Sequence, residues 1–323
     1  MNKFLSFTIA EGDTYAGGNH KTRIHVGAGM AGIAAAAALT GCSAGSGSGQ
    51  SQESNASTDV TQATLDDAKL TADDLCAAAL QFKTLSEAGT SDEYEREYRF
   101  ALAASALGNA DAMLYLGEMY QGSHIEAARS SDDPVQDAVS WWNKAAESGV
   151  ARGYTNIGLL YMHETVPGGG DSFGSIPYDP ATAVEYYEKG AEGNDMKAFR
   201  YLGLCYQDGI GVDADAAKAE DFFRQACEAG DSTGGMYYAE YLLDGRGGTQ
   251  DVDKAISILK ELVDGKKHDM VACALMLGDI YSEGVYTAPD AALAKSYYQI
   301  VIDNAKEGSD EAEKAASALE ALG

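Results

Sequence analysis

Residues 196–231 read MKAFRYLGLCYQDGIGVDADAAKAEDFFRQACEAGD, and this stretch is one full copy of a unit that recurs along the chain. Its first half has the pattern small-x-x-x-Leu-Gly-x-x-Tyr, which runs from Ala198 to Tyr206. Its second half has the pattern Asp-x-x-x-Ala-x-x-aromatic-aromatic-x-x-Ala-small, with Phe222 and Phe223 as the aromatic pair. A small residue followed four positions later by Leu lies on one face of an α-helix with it. The stretch therefore predicts two helices in a close hairpin.

The unit recurs at a spacing typical of helical repeat proteins. The pairs in successive second halves are Trp141-Trp142, Tyr186-Tyr187, Phe222-Phe223, Ile258-Leu259 and Tyr297-Tyr298, which stand 45, 36, 36 and 39 positions apart. A weaker copy precedes them, with Cys76 in its first half and Phe100 in its second. A single hairpin cannot bury its apolar face alone, whereas stacked hairpins share a continuous core. We therefore predict an all-α solenoid of about six helix-turn-helix repeats over residues 68–308, followed by a C-terminal capping helix over 309–323.

The recurring residues indicate how each hairpin is built. An aspartate lies seven positions before four of the pairs, where it can cap the second helix; these residues are Asp179, Asp215, Asp251 and Asp290. Glycine inside a helix costs about 1 kcal/mol relative to alanine, so its recurrence predicts a close helix contact. Adjacent residues point about 100° apart, so one ring of a pair can enter the hairpin core while the other reaches a neighbour or a groove. We predict that Trp141, Tyr187, Phe223 and Tyr298 line a groove that binds a partner.

These patterns resemble the Sel-one-like repeat (SLR) family, a branch of the tetratricopeptide-like (TPR-like) superfamily. The match is fullest along Leu202-Gly203…Tyr206…Gly209-Ile210-Gly211-Val212…Asp215…Lys218-Ala219…Phe222-Phe223…Ala226…Gly230. The resemblance implies a right-handed superhelix whose concave groove binds a protein or a peptide, as in adaptor proteins. Two loops, residues 122–136 and 162–178, are longer than the usual turn. We expect the second, which contains His163, to contact a partner specifically or, alternatively, to be a tolerated surface insertion.

The composition limits the possible partners. The net charge is −27 at pH 7, and 45% of the residues are hydrophobic, as expected of a folded protein. So much negative charge repels a phosphate backbone and an anionic lipid surface. This argues against nucleic-acid binding and against membrane attachment without an anchor. The acidity favours solubility or, alternatively, a basic partner or bound divalent cations.

The N-terminal region contains two competing motifs. Gly27, Gly29 and Gly32 form G-x-G-x-x-G, but a Gly/Ser-rich stretch follows where a dinucleotide-binding fold needs a second strand. A basic segment and a short apolar run instead predict an export signal. The run ends in Leu39-Thr40-Gly41-Cys42, which resembles a bacterial lipobox with Cys42 as the lipidated residue.

These features predict the domain organisation. Residues 1–42 comprise an N-terminal extension and a lipoprotein signal peptide that is removed. Residues 43–67, rich in Gly, Ser and Gln, form a flexible tether. Two acyl chains anchor a protein stably. We therefore expect an exported protein, attached through Cys42 to the outer face of the cell membrane or to the outer membrane of a diderm.

Residues that carry chemistry in other proteins are scattered here. We predict that Cys76, Cys205, Cys227 and Cys273 are small buried residues. Disulfide-rich members of the family join cysteines about eight positions apart, but Gly235 stands eight after Cys227. Without metal-ligand spacing or a nucleophile–base set, we predict no enzyme, no metal site and no cofactor. An envelope-anchored interaction scaffold is favoured; the alternatives are an envelope enzyme acting on peptidoglycan or a β-lactam, and a passive spacer.

Overall fold

The structure is a computed structural model that describes residues 71–73, 76–77, 91–122, 125–162, 176–248 and 250–323. All regular secondary structure in these residues is helical. Thr71–Gly323 form one compact unit. The helices with described bounds are α1 Ser91–Ala106, α2 Ala110–Gln121, α3 Glu126–Arg129, α4 Pro134–Glu147, α5 Arg152–Tyr161, α6 Pro180–Glu192, α7 Met196–Asp208, α8 Ala216–Glu228, α9 Ser232–Asp244, α10 Val252–Asp264, α11 Met270–Glu283, α12 Ala291–Asn304 and α13 Asp310–Ala321.

Ten of these helices pair into five successive hairpins: α2 with α4, α5 with α6, α7 with α8, α9 with α10, and α11 with α12. We name the first helix of each hairpin its A helix and the second its B helix. Each A helix also packs against the B helix before it, and α13 packs on α12 in the place of a further A helix. The predicted all-α solenoid is therefore confirmed. The earliest predicted copy is represented by α1, which carries the buried Phe100 and packs on α2.

The second residue of each pair fills its hairpin, and a glycine on the A helix makes the room. Phe223 is fully buried, and a Cβ atom added to Gly203 would lie 2.5 Å from its Cε1 atom. The same contact joins Trp142 to Gly117, Tyr187 to Gly158 and Tyr298 to Gly278. The fourth hairpin has Ala239 and Leu259 at these positions, both fully buried in one core cluster. Glycine is therefore needed where the B helix supplies a ring.

Aspartates begin the B helices as the sequence predicts. Asp179, Asp215, Asp251 and Asp290 each accept a hydrogen bond from a backbone N–H in the first helical turn. Asp133 caps α4 in the same way but stands eight positions before Trp141, so the seven-residue pattern does not include it. These caps satisfy backbone donors that have no partner within the helix.

A second set of aspartates, which the sequence pattern does not single out, ties successive A helices together. Asp195 caps α7 and also accepts hydrogen bonds from Arg152 and Thr155 of α5, each at 2.6 Å. Asp231 caps α9 and lies 3.5 Å from the guanidinium of Arg200 on α7. Burial raises the pKa of Asp231, although Arg200 opposes the shift. The first turns of the A helices are thereby held in a fixed register.

The A helices lie on the inner side of the solenoid. Successive A helices contact each other, as α5 does with α7 and α7 with α9, and α11 contacts α13. Successive B helices make no comparable contacts in the described part of the chain. The helices that approach each other from repeat to repeat form the concave side. None of the described helices is long and apolar enough to cross a membrane.

Candidate functional site

One stripe of each A helix keeps part of its side-chain surface outside the hairpin cores, although the rings of Tyr201 and Tyr237 on this stripe also stack on buried rings of the preceding B helices. Each A helix packs on two B helices, the one before it and its own hairpin partner. Three of its side chains project between these two packing faces. They stand two positions before, one position after and five positions after the A-helix glycine or alanine. They are half-buried or exposed from α5 to α11. We call them the groove surface: Asn156, Leu159, Tyr201, Leu204, Asp208, Tyr237, Glu240, Asp244, Met276, Asp279 and Glu283.

The groove surface changes character along the solenoid. Its part on α5 is neutral, with Asn156 and Leu159. Its part from the end of α7 to α11 carries five carboxylates, Asp208, Glu240, Asp244, Asp279 and Glu283. Burial raises the pKa of Glu240, with Asp244 adding to the shift and Arg246 opposing it. The groove surface is therefore acidic towards its C-terminal end.

A cleft of about 230 Å³ opens in the acidic part, between α9 and α11. Its apolar lining comes from Leu243, Met276 and Ile280, and its acidic lining comes from Glu240, Asp244, Asp279 and Glu283. Tyr286 stands at the edge and donates a hydrogen bond of 2.9 Å to Asp244. The cleft thus combines an apolar surface with carboxylates.

The one basic residue that lines this cleft is already engaged. The guanidinium of Arg246 lies 3.3 Å from Asp244 and 3.5 Å from Glu240. Its other side covers the ring of Tyr241, 4.4 Å from the ring centroid. Side chains of Arg246 and its acidic partners are a third or more exposed, so these pairs are screened by water.

Three of the residues predicted to line the groove are instead buried inside the hairpins. Tyr187, Phe223 and Tyr298 are only 0%, 0% and 1% exposed, because they fill the hairpins against the A-helix glycines. The prediction that they contact a partner is therefore wrong. The carboxylates of the groove surface were not identified individually from the sequence, although their positions after the A-helix glycine or alanine are a readable signal.

The first residues of the pairs lie on the flank of the hairpins. Tyr186 stacks on Tyr161 with ring centroids 5.7 Å apart, and Phe222 stacks on Tyr206 at 5.5 Å. Trp141 is half-buried on α4, with the Lys144 ammonium 4.1 Å from its ring centroid. A partner contact at Trp141 stays a prediction.

Two predicted functional residues lie outside the described residues. They are His163, in the long second loop, and Cys42, in the lipobox-like sequence. Their roles stay predictions.

The cysteines of the described residues are not paired with one another. Cys76, Cys205, Cys227 and Cys273 form no disulfide in the described part of the chain; Cys227 is half-buried and the others are buried. Burial raises the pKa of Cys205 and of Cys273 to about 12, so both thiols stay protonated at neutral pH. The described residues contain no cluster of three or more His, Cys, Asp or Glu side chains arranged to hold a metal ion.

The family model described as Sel1 repeat matches residues 110–150, 168–195, 198–231, 236–261 and 271–303, about half of the 323-residue chain. The chain is also similar to two curated proteins called DAP3-binding cell death enhancer 1. The rat protein is 29% identical over 101 residues (31% of this chain, 18% of that protein), and the mouse protein 34% identical over 108 residues (33% and 19%). The chain therefore matches less than a fifth of the length of either relative.

Solved structures share the fold. A Sel1 repeat protein from Oxalobacter formigenes superposes with a TM-score of 0.55 at 22% identity, covering 77% of this chain and 96% of that one. A protective antigen with an SLR fold from uropathogenic Escherichia coli gives a TM-score of 0.56 at 21% identity, covering 80% and 54%. At these identities the likeness concerns the fold alone.

Proposed function

Because the chain belongs to the Sel1 repeat family, we propose that it is an interaction scaffold whose groove surface binds a protein or a peptide. Sel1 repeat proteins generally mediate protein–protein interactions, and their fold is generally a non-enzymatic scaffold. The observation that carries the proposal is that each A helix uses different residues for packing and for the groove surface. Its glycine and small residues serve the hairpin contacts, while the groove stripe holds half-buried and exposed side chains on the concave side.

The partner that fits this surface is basic. The acidic part of the groove surface has Arg246 as the one basic residue in its cleft, against four carboxylates. Arg152 and Arg200 of the neighbouring A helices are paired with the capping Asp195 and Asp231. The groove charge is thus largely uncompensated, and complementary charge steers association and selects partners.

The test is a crosslinking pull-down from cells that express the protein, with a variant that carries Asn156→Arg and Leu204→Arg. Asn156 and Leu204 are both half-buried in the groove surface. An arginine at either position can place its methylene groups on the protein while its charged head stays in solvent. The matched control carries Ser140→Arg and Ser257→Arg, at exposed positions of the B helices α4 and α10. All proteins are first checked for native helix content by circular dichroism.

We expect the groove variant to lose a partner that both the intact protein and the control recover. Equal recovery by all three proteins would contradict the groove as the binding surface. A Trp141→Ala variant that alone loses the partner would place binding on the B-helix flank instead.

We further propose that the scaffold is exported and anchored by lipid on Cys42, with residues 43–67 as a tether. The lipobox-like sequence and the apolar run before it support this proposal. Metabolic labelling with an alkyne fatty acid tests it, with Cys42→Ser as the variant. Label on the intact protein and none on the variant is the expected result; equal labelling, or none on either, contradicts it.

A further inference from the structure

The cleft between α9 and α11 has the chemistry of a receptor for one long cationic side chain. Leu243, Met276 and Ile280 offer apolar surface. Lysine and arginine place their methylene groups against such a surface while the charged head stays near water or a carboxylate. Carboxylates supply the second requirement, because Asp279 and Glu283 of α11 face Glu240 and Asp244 of α9 across the cleft.

The chain's own Arg246 demonstrates that a guanidinium fits beside the α9 carboxylates. It reaches Glu240 and Asp244 from the loop after α9 and covers the ring of Tyr241. On α11, Asp279 lines the cleft and also accepts a hydrogen bond of 2.7 Å from the hydroxyl of Tyr298. Four carboxylates against one guanidinium leave the cleft with an excess of negative charge that a second cation would offset.

We propose that this cleft binds an arginine or lysine side chain of the partner, and that the basic end of the partner therefore lies over the last two hairpins. The proposal rests on the scaffold function above and adds the place and the orientation of binding. The neutral groove surface on α5 then contacts a less charged part of the same partner.

The experiment measures binding of a fluorescein-labelled hexa-arginine peptide to the full chain at 0.15 M salt, where charges more than about 8 Å apart are screened. The cleft variant carries Asp244→Asn and Glu283→Gln. The control carries Glu185→Gln and Glu188→Gln, two exposed carboxylates of the B helix α6. Both variants change the net charge equally. We expect about a tenfold loss of affinity in the cleft variant and less than about a twofold change in the control.

A second pair of variants reverses the sign of the effect. Arg246→Gln removes the competing cation from the cleft, whereas Lys189→Gln removes an exposed lysine of α6. Only the first is expected to strengthen binding, by about threefold or more, because it releases Glu240 and Asp244. Equal changes within either pair of variants would show that binding follows overall charge, and the cleft assignment would be wrong.

The proposed function can survive that failure. If the pull-down partner is lost with the Asn156→Arg/Leu204→Arg variant but kept with Asp244→Asn/Glu283→Gln, the groove binds a partner and the cleft is not its cation site. If the partner ignores both variants, the scaffold proposal fails as well.

Discussion

Replacing Gly203 with alanine tests whether glycine is present to admit the ring of Phe223. The added Cβ atom would lie 2.5 Å from Cε1 and 2.6 Å from Cδ1 of the ring, well inside contact distance. Phe223 is fully buried between Tyr237 and Tyr241, whose ring centroids lie 5.0 Å and 5.3 Å away, so it has no open space to move into. The two helices must therefore separate or the ring must leave its rotamer.

The expected magnitude follows from two opposing effects. Alanine stabilises a helix by about 1 kcal/mol relative to glycine. Overpacking of a filled core costs about 1–3 kcal/mol and more when backbone must move. We expect Gly203→Ala to lower the free energy of unfolding by about 2 kcal/mol, and Phe223→Leu to lower it by about 1.5 kcal/mol through lost ring volume.

The double variant Gly203→Ala/Phe223→Leu recreates the pair that the fourth hairpin already has at Ala239 and Leu259. The clash is absent there, while the alanine retains its helix preference. The double variant should therefore be less destabilised than Gly203→Ala alone, with a coupling energy of at least about 1.5 kcal/mol.

Urea unfolding of all four proteins, followed by circular dichroism, measures this cycle, and equal denaturant dependence checks that the transitions are comparable. Additive effects, with a coupling below about 0.5 kcal/mol, would refute the steric account of the glycine.

Three further predictions follow from single contacts. Gly235→Cys should form a disulfide with Cys227, because a Cβ atom added at residue 235 lies 3.8 Å from the Cβ of Cys227, which matches disulfide geometry. Closing so short a loop contributes about 2.5 kcal/mol to the free energy of unfolding. We expect a higher Tm that is lost when a reductant is added and that Gly235→Ser does not reproduce. A free thiol at residue 235 after oxidation would contradict the geometry. Tyr187→Phe should raise stability by about 1 kcal/mol, because the buried Tyr187 hydroxyl has no hydrogen-bond partner among the described residues. Tyr298→Phe should lower stability, because the Tyr298 hydroxyl forms hydrogen bonds with Asp279 and Ser282. A higher Tm for Tyr298→Phe than for Tyr187→Phe would refute this pair of predictions. Burial raises the pKa of Asp231 and of Glu240, so the folded state binds more protons than the unfolded chain at pH values above the ordinary carboxyl pKa. Stability should therefore rise as the pH falls from neutral towards the ordinary carboxyl pKa. Asp231→Asn should flatten that rise in Tm, whereas an unchanged slope would exclude Asp231 as a source.

Periodicity predicted the hairpins but could not decide which residue of each pair is buried. Around the axis of α8, Ala219 lies about 40° from Phe223 and about 60° from Phe222. Ala226 lies about 60° from Phe223 and about 40° from Phe222. The small residues on the B helix therefore point midway between the two rings. The choice is made by the A helix, where Gly203 leaves room for one ring, and this contact joins residues far apart in sequence.

The groove surface was unpredicted for a related reason. The sequence pattern records positions that are constant from repeat to repeat, and those are the packing positions. The residue after the A-helix glycine or alanine varies: it is Leu159 and Leu204 in two hairpins, and Glu240 and Asp279 in two others. Variation at one position of a constant frame is what a binding surface would produce, because each repeat meets a different part of the partner.

The distribution of positive charge supports the proposal that the groove binds a basic partner. The chain has 23 Lys and Arg residues against 50 Asp and Glu residues. Lys144, Lys189, Lys218 and Lys260 lie over aromatic rings on the hairpin flanks, between 4.1 Å and 5.4 Å from the ring centroids. Arg152 and Arg200 hold the capping aspartates of the following A helices.

These contacts hold the cations against the hairpins. A cation over an aromatic ring stabilises a fold by about 0.5–1 kcal/mol even at exposed sites. Along the C-terminal half of the groove, Arg246 alone lines the cleft against four carboxylates, and neighbouring carboxylates repel each other. That repulsion opposes folding and is relieved when a cation enters. A concave surface that retains such repulsion is better suited to a basic partner than to the role of a passive spacer.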